Sequence, residues 1–185
     1  MRRLEVYEVR TTIMRAIAVC AAVGAVLAGA AGTSHAHDNH GSDLAEVREA
    51  TARYHQHQVA VDDGLFALAD ADGLTCIEDP GGTGAMGTHW VSGDRVGDGE
   101  INVAQPEVLL YDMSQPKPRL LGVEYVVFVA DWGEDRDPPQ LFGHEFHFVE
   151  AGNRYGMPPF YELHAWVWHN NPGGMFEDWN PRVDC

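Results

Sequence analysis

The sequence predicts an α+β fold, with one N-terminal helix packed on a curved antiparallel sheet or small β-barrel of about six strands. Three observations carry this. A single stretch near the start of the secreted portion has helical periodicity, with apolar or seam residues at Leu44, Val47, Thr51, Tyr54, Gln58 and Val61. Beyond Gly64 the pattern changes to short apolar runs broken by Gly, Pro and Asp, as in an antiparallel sheet with turns. The five Trp, six Tyr and seven Phe also need an enclosed face, which a lone helix does not provide.

The elements follow in order. Met14-Arg15 precedes the alanine-rich apolar run IAVCAAVGAVLAGA and the small-x-small triplet Ser34-His35-Ala36, a secretory signal peptide over residues 1–36 cleaved after Ala36. The run from Ala16 to Ala31 is short of the roughly 20 strongly apolar residues of a spanning helix. No second apolar span follows, so a transmembrane segment is not expected after cleavage. Cys20 follows Val19, where a lipoprotein signal carries a small residue, and Met14 is an alternative start to Met1. Residues 37–42, HDNHGS, read as a flexible polar lead, and residues 43–185 as a single domain. A helix is expected over 43–62, stopped by Asp63-Gly64. Strands are expected near 74–78, 88–92, 107–113, 119–130, 145–150 and 160–169, joined by acidic or proline-bearing connections.

Removal of the signal peptide leaves eight basic and 26 acidic side chains, a net charge of −18. Such a field repels nucleic acid and anionic membrane surfaces and favours cations, so a nucleic-acid partner is excluded and a small ligand or metal ion is the partner expected. Only Cys76 and Cys185 remain after cleavage, in an oxidising compartment, and they are expected to pair.

The candidate site comes from polar residues that interrupt apolar strand faces. In YELHAWVWH, alternation puts Glu162, His164, Trp166 and Trp168 on one face. In RLLGVEYVVFVA, Glu124 falls in line with Gly122, Val126 and Phe128. Glu107 shares a face with Leu109 and Tyr111, and His89 sits between a glycine-rich turn and Trp90. If these faces converge, His89, Glu107, Glu124 and His164 form a ligand set acceptable to Zn, Mn, Fe or Cu, with Trp166, Trp168 and Tyr111 as the apolar wall and Glu162 at the rim. The other reading is a non-catalytic extracellular module in which Glu124 and His164 are core hydrogen-bond partners.

Other motifs fail on spacing. His144 and His147 in GHEFHFVE are three apart, not the four of a zinc-protease helix, and on a strand they point to opposite faces. The loop from Asp94 to Gln105 imitates a calcium loop but has Val96 at its third position and Gln105 at its twelfth. Cleavage after Ala36 exposes His37, whose amine and imidazole offer a copper site of the histidine-brace kind. No catalytic triad, nucleophile elbow, P-loop or dinucleotide fingerprint is present, so the residues assign no reaction.

The segments GAMGTHWV, PEVLLY, LLGVEYVVF and ELHAWVWHNNPGGMFEDWNPRVDC, ending in a cysteine, resemble a group of uncharacterised secreted bacterial proteins. The resemblance spans Tyr54 to Cys185 and implies export and a single domain. It carries no activity with it. The expectation is a secreted, disulfide-closed domain with an interior polar site for a metal ion or small ligand, and a C-terminal segment folded back as a lid pinned by Cys185.

Overall fold

The computed structural model describes residues 40–185; the expected signal peptide and His37, the candidate copper ligand, lie outside the described residues. Helix α1 runs His40–Thr51, so it begins within the stretch expected to be a flexible lead. A 3₁₀ turn, Ala52–His55, follows, and α2 spans His57–Asp62. The single helix expected over 43–62 is thus broken, with Gln56 in an extended conformation (φ −93°, ψ 93°). The break frees the Tyr54 carbonyl from the helical ladder, and the buried Tyr111 hydroxyl donates to it at 2.6 Å. The predicted seam holds up to the break, where Val47, Thr51 and Tyr54 are buried, and fails beyond it, where Gln58 and Val61 are exposed.

Nine strands follow: β1 (Phe66–Ala67), β2 (Cys76–Glu78), β3 (Ala85–Val91), β4 (Val108–Asp112), β5 (Arg119–Phe128), β6 (Gln140–Leu141), β7 (His144–Glu145), β8 (His147–Val149) and β9 (Phe160–Ala165). Seven form an antiparallel sheet in the order β1-β3-β4-β5-β9-β8, with β2 also paired to β3, and β6 and β7 form a separate hairpin. The sheet is open, which corrects the barrel alternative. Its edges are the short β1 and β2 on one side and the three-residue β8 on the other, and they do not meet.

Both faces of the sheet are covered, so it needs no closure to bury its apolar side chains. On one face, Leu109, Tyr111, Val123, Tyr125 and Leu163 pack with Val47 and Tyr54 of the helical segment. The other face buries Val91, Val108, Leu110, Val126 and Phe160 beneath loops and the C-terminal segment, which contributes Val183. The strand expected over 145–150 is split at Phe146. That side chain is buried, and its N–H donates to Pro139 O at 2.9 Å. The strand expected over 160–169 ends at Ala165, where the chain turns across Gly122; a Cβ there would lie 2.5 Å from Ala165 O.

The segment after the turn folds back as expected. Asn180 exchanges backbone hydrogen bonds with Ala85 at 3.1 and 3.2 Å, and the Trp166 indole donates to Glu177 O at 2.6 Å. Cys76 and Cys185 are joined in a disulfide, with Cα atoms 5.5 Å apart.

Candidate metal centre

The register that builds the sheet also collects the site. Glu124 on β5 stands directly opposite His164 on β9, and opposed residues of antiparallel strands share a face. His89 on β3 reaches the same face through its pairing with Leu110, two residues along the strands from the level of Glu124. Its Nε2 lies 3.4 Å from Glu124 Oε2. One ligand atom from each of His89, Glu124 and His164 falls within 4.8 Å of the others, and the three are 3%, 4% and 0% exposed.

A second grouping, Glu162, His164 and Asp178, shares His164 and obeys the same distance limit. Glu162 is two residues before His164 on β9, so alternation brings it to the same face. Asp178 comes from the C-terminal lid. Its Oδ1 lies 3.3 Å from His164 Nδ1 and 3.2 Å from Nδ1 of the half-exposed His147 on β8. His164 Nε2 and His89 Nδ1 lack a hydrogen-bond partner, while His164 Nδ1 has the Asp178 carboxylate. Two buried imidazole nitrogens in one cluster thus keep lone-pair or donor capacity that no protein group uses.

The electrostatics separate the two imidazoles. Burial pushes His89 down to about 3, and the neighbouring His164 charge adds to this. Burial would also lower His164, but the carboxylates of Glu124, Asp178 and Glu162 outweigh it and hold it up at about 9. Desolvation raises Glu124 and Glu162 above the usual carboxylate range, while His164 holds Asp178 below it against its own desolvation. His164 is thus favoured as the positive partner of the cluster's carboxylates. A bound divalent metal would take over that role and release the His164 proton.

Of the predicted residues, His89, Glu124 and His164 come together and Glu107 does not. Glu107 is 1% exposed, and its Oε2 accepts the Val126 N–H at 3.0 Å, capping β5 just beyond the start of β4. Its own strand alternation puts it with Leu109, towards the helices. The wall is corrected in the same way. Tyr111 packs in the helix-side core, and the Trp168 indole donates to Thr51 Oγ1 at 3.1 Å there, because the chain has left the strand by residue 166. Trp166 stays on the site face, its ring nearly parallel to His164 at 6.5 Å. Asp178 was not anticipated, since a lone Asp in an irregular segment has no periodicity to mark it. His147 had one signal, the expectation that only one histidine of GHEFHFVE turns inward.

The actual wall lies elsewhere. A cavity of about 220 Å³ opens over His89 and Glu124, with Phe66, Leu68, Val91, Val126, Met157 and Phe160 among its sides. Tyr155 lines this cavity and a second, more polar one of about 580 Å³ that reaches Glu162 from the other side, near Asp70 and Arg154. Arg154 donates to Asp70 Oδ2 at 3.0 Å, tying the loop after β1 to the loop before β9. The chain matches no protein-family model, and no curated protein or solved structure is significantly similar to it. The site therefore has to be read from its own geometry.

Proposed function

We propose that the protein is an exported metal-binding domain whose ion is held by His89, Glu124 and His164 at the floor of an apolar cavity. The observation that carries this is the triad itself: three buried ligand atoms within 4.8 Å of one another, with His164 Nε2 left unpartnered. Two imidazoles and one carboxylate suit Zn, Mn, Fe or Cu and leave coordination positions open, the pattern of sites that engage a further ligand. Glu162 and Asp178 would complete or orient the set, and the polar cavity at Glu162 offers the ion a route in. Export is supported by the N-terminal pattern up to Ala36 and fits a disulfide-bonded chain.

The test is elemental analysis and Zn²⁺ competition titration of protein purified without an affinity tag. Near-stoichiometric metal is expected in the wild type, with affinity at least about 100-fold weaker in His89→Ala and Glu124→Gln. His144→Ala, whose ring packs on Phe176, should behave as wild type. Equal metal content in all four proteins would leave the cluster as a core ion pair of His164 and its carboxylates. Export is read separately: N-terminal sequencing of protein from the culture medium or cell envelope should begin at His37.

A further inference from the structure

We propose that the cavity over His89 and Glu124 binds a small neutral molecule with an apolar body the size of one six-membered ring and a single hydroxyl head group. The inference rests on the metal reading in that the same two residues form the floor in both.

Size, lining and charge each narrow the ligand. A dry cavity of about 150 Å³ is enough to take up benzene, so about 220 Å³ admits one ring with a short substituent and excludes a sugar chain or peptide. The walls are aliphatic and aromatic, and His89, Glu124 and Tyr155 are the only polar side chains among the lining residues. An apolar pocket with a few convergent polar groups selects a ligand with one polar end. Among the described residues no Lys or Arg lines the cavity, so a carboxylate head would find no cation on the wall and would leave water for apolar side chains beside the Glu124 carboxyl group. An ammonium head would give up its water for a largely apolar wall that offers one carboxyl group, that of Glu124. A hydroxyl, which both donates and accepts, meets His89 and Glu124 without adding charge.

Two glycines give a clean way to test the location. Gly93 and Gly97 line the cavity; a Cβ at Gly93 would meet only the Phe66 ring, at 3.6 Å, and at Gly97 only Gly93 O, at 3.9 Å. Gly93→Leu therefore fills the cavity from its side and leaves the triad untouched. Phenol, benzoate, benzylamine and glycerol would be titrated by calorimetry and by amide chemical shifts into metal-stripped and zinc-loaded protein. Phenol is expected to bind, benzoate and benzylamine at least about tenfold more weakly, and glycerol not at all. Gly93→Leu should weaken phenol at least about tenfold with metal content unchanged. Benzoate or benzylamine binding as tightly as phenol would overturn the head-group assignment, and unaltered phenol binding in Gly93→Leu would overturn the location. Zinc binding with no phenol binding in either form would sink this proposal and spare the metal centre. Phenol binding to protein that takes up no zinc would do the reverse.

Discussion

Glu107 illustrates how much a single buried carboxyl can weigh. Desolvation lifts it to about 8, against the hydrogen bond from Val126 N–H, which favours the ionised form. Its folded value lies above its unfolded one, so the folded chain holds the extra proton between about pH 4.5 and 8. Its contribution to stability is therefore fully present below about pH 4.5 and is lost as pH rises through about 8, a swing on the order of 5 kcal/mol. Glu107→Gln keeps an acceptor for Val126 N–H and removes the titration. The variant should lose less stability than the wild type between pH 6 and pH 9, measured by urea unfolding at each pH. Parallel profiles for the two proteins would show that Glu107 is ionised throughout. At the same scale, Asn171 holds the lid from within: its amide donates to Trp179 O at 3.0 Å and its Oδ1 accepts Gly173 N–H at 2.9 Å. Asn171→Ala leaves those part-buried groups without their partner and should cost about 1 kcal/mol in thermal or urea unfolding.

Among the elements, β3 and the C-terminal lid meet backbone to backbone at the bridge between Ala85 and Asn180. Gly84 has φ +134°, and a Cβ there would lie 2.2 Å from Asn180 O, against the lid backbone. Gly84→Ala must push the lid away from β3, and a loss of about 2 kcal/mol or more is expected. Because the lid carries Asp178, hydrogen exchange over residues 171–185 should speed up in this variant and zinc affinity should fall. Fast exchange confined to the turn before β3 would place the effect elsewhere. The element boundaries that periodicity missed have local causes of this kind. The helix breaks at Gln56 so that the Tyr54 carbonyl can meet Tyr111, and β9 stops at Ala165 because Gly122 lets the chain cross. Neither cause lies within the segment it interrupts.

For the whole molecule, the disulfide closes a loop of 109 residues between β2 and the last residue. In the chain-entropy model such a loop is worth about 4–5 kcal/mol, and native disulfides typically deliver about 2–4. The double variant Cys76→Ser/Cys185→Ser should therefore unfold at markedly lower urea concentration. Its C-terminal segment should exchange first, since the lid is otherwise held by the Asn180 bridge to Ala85, Val183 and a few side-chain bonds. A midpoint equal to that of the wild type would mean that these contacts alone hold the lid.

Several features were set locally and so could be read without the fold. The helical seam at Val47, Thr51 and Tyr54, the strands carrying His89, Glu124 and His164, and the odd polar residue on each apolar face all come from patterns of period 3.6 or 2. The pairing of Cys76 with Cys185 followed from there being no other cysteine after residue 36. What the tertiary structure alone decided was which polar residues share a face and what covers them. Strand register set Glu124 against His164 and turned Glu107 away. Chain reversal beyond Ala165 carried Trp168 to the helix side and brought Asp178, 14 residues further along from His164, back to its imidazole. Periodicity describes a segment against itself. A binding site is a relation between segments, and here hydrogen-bond register and one missing side chain at Gly122 determined it.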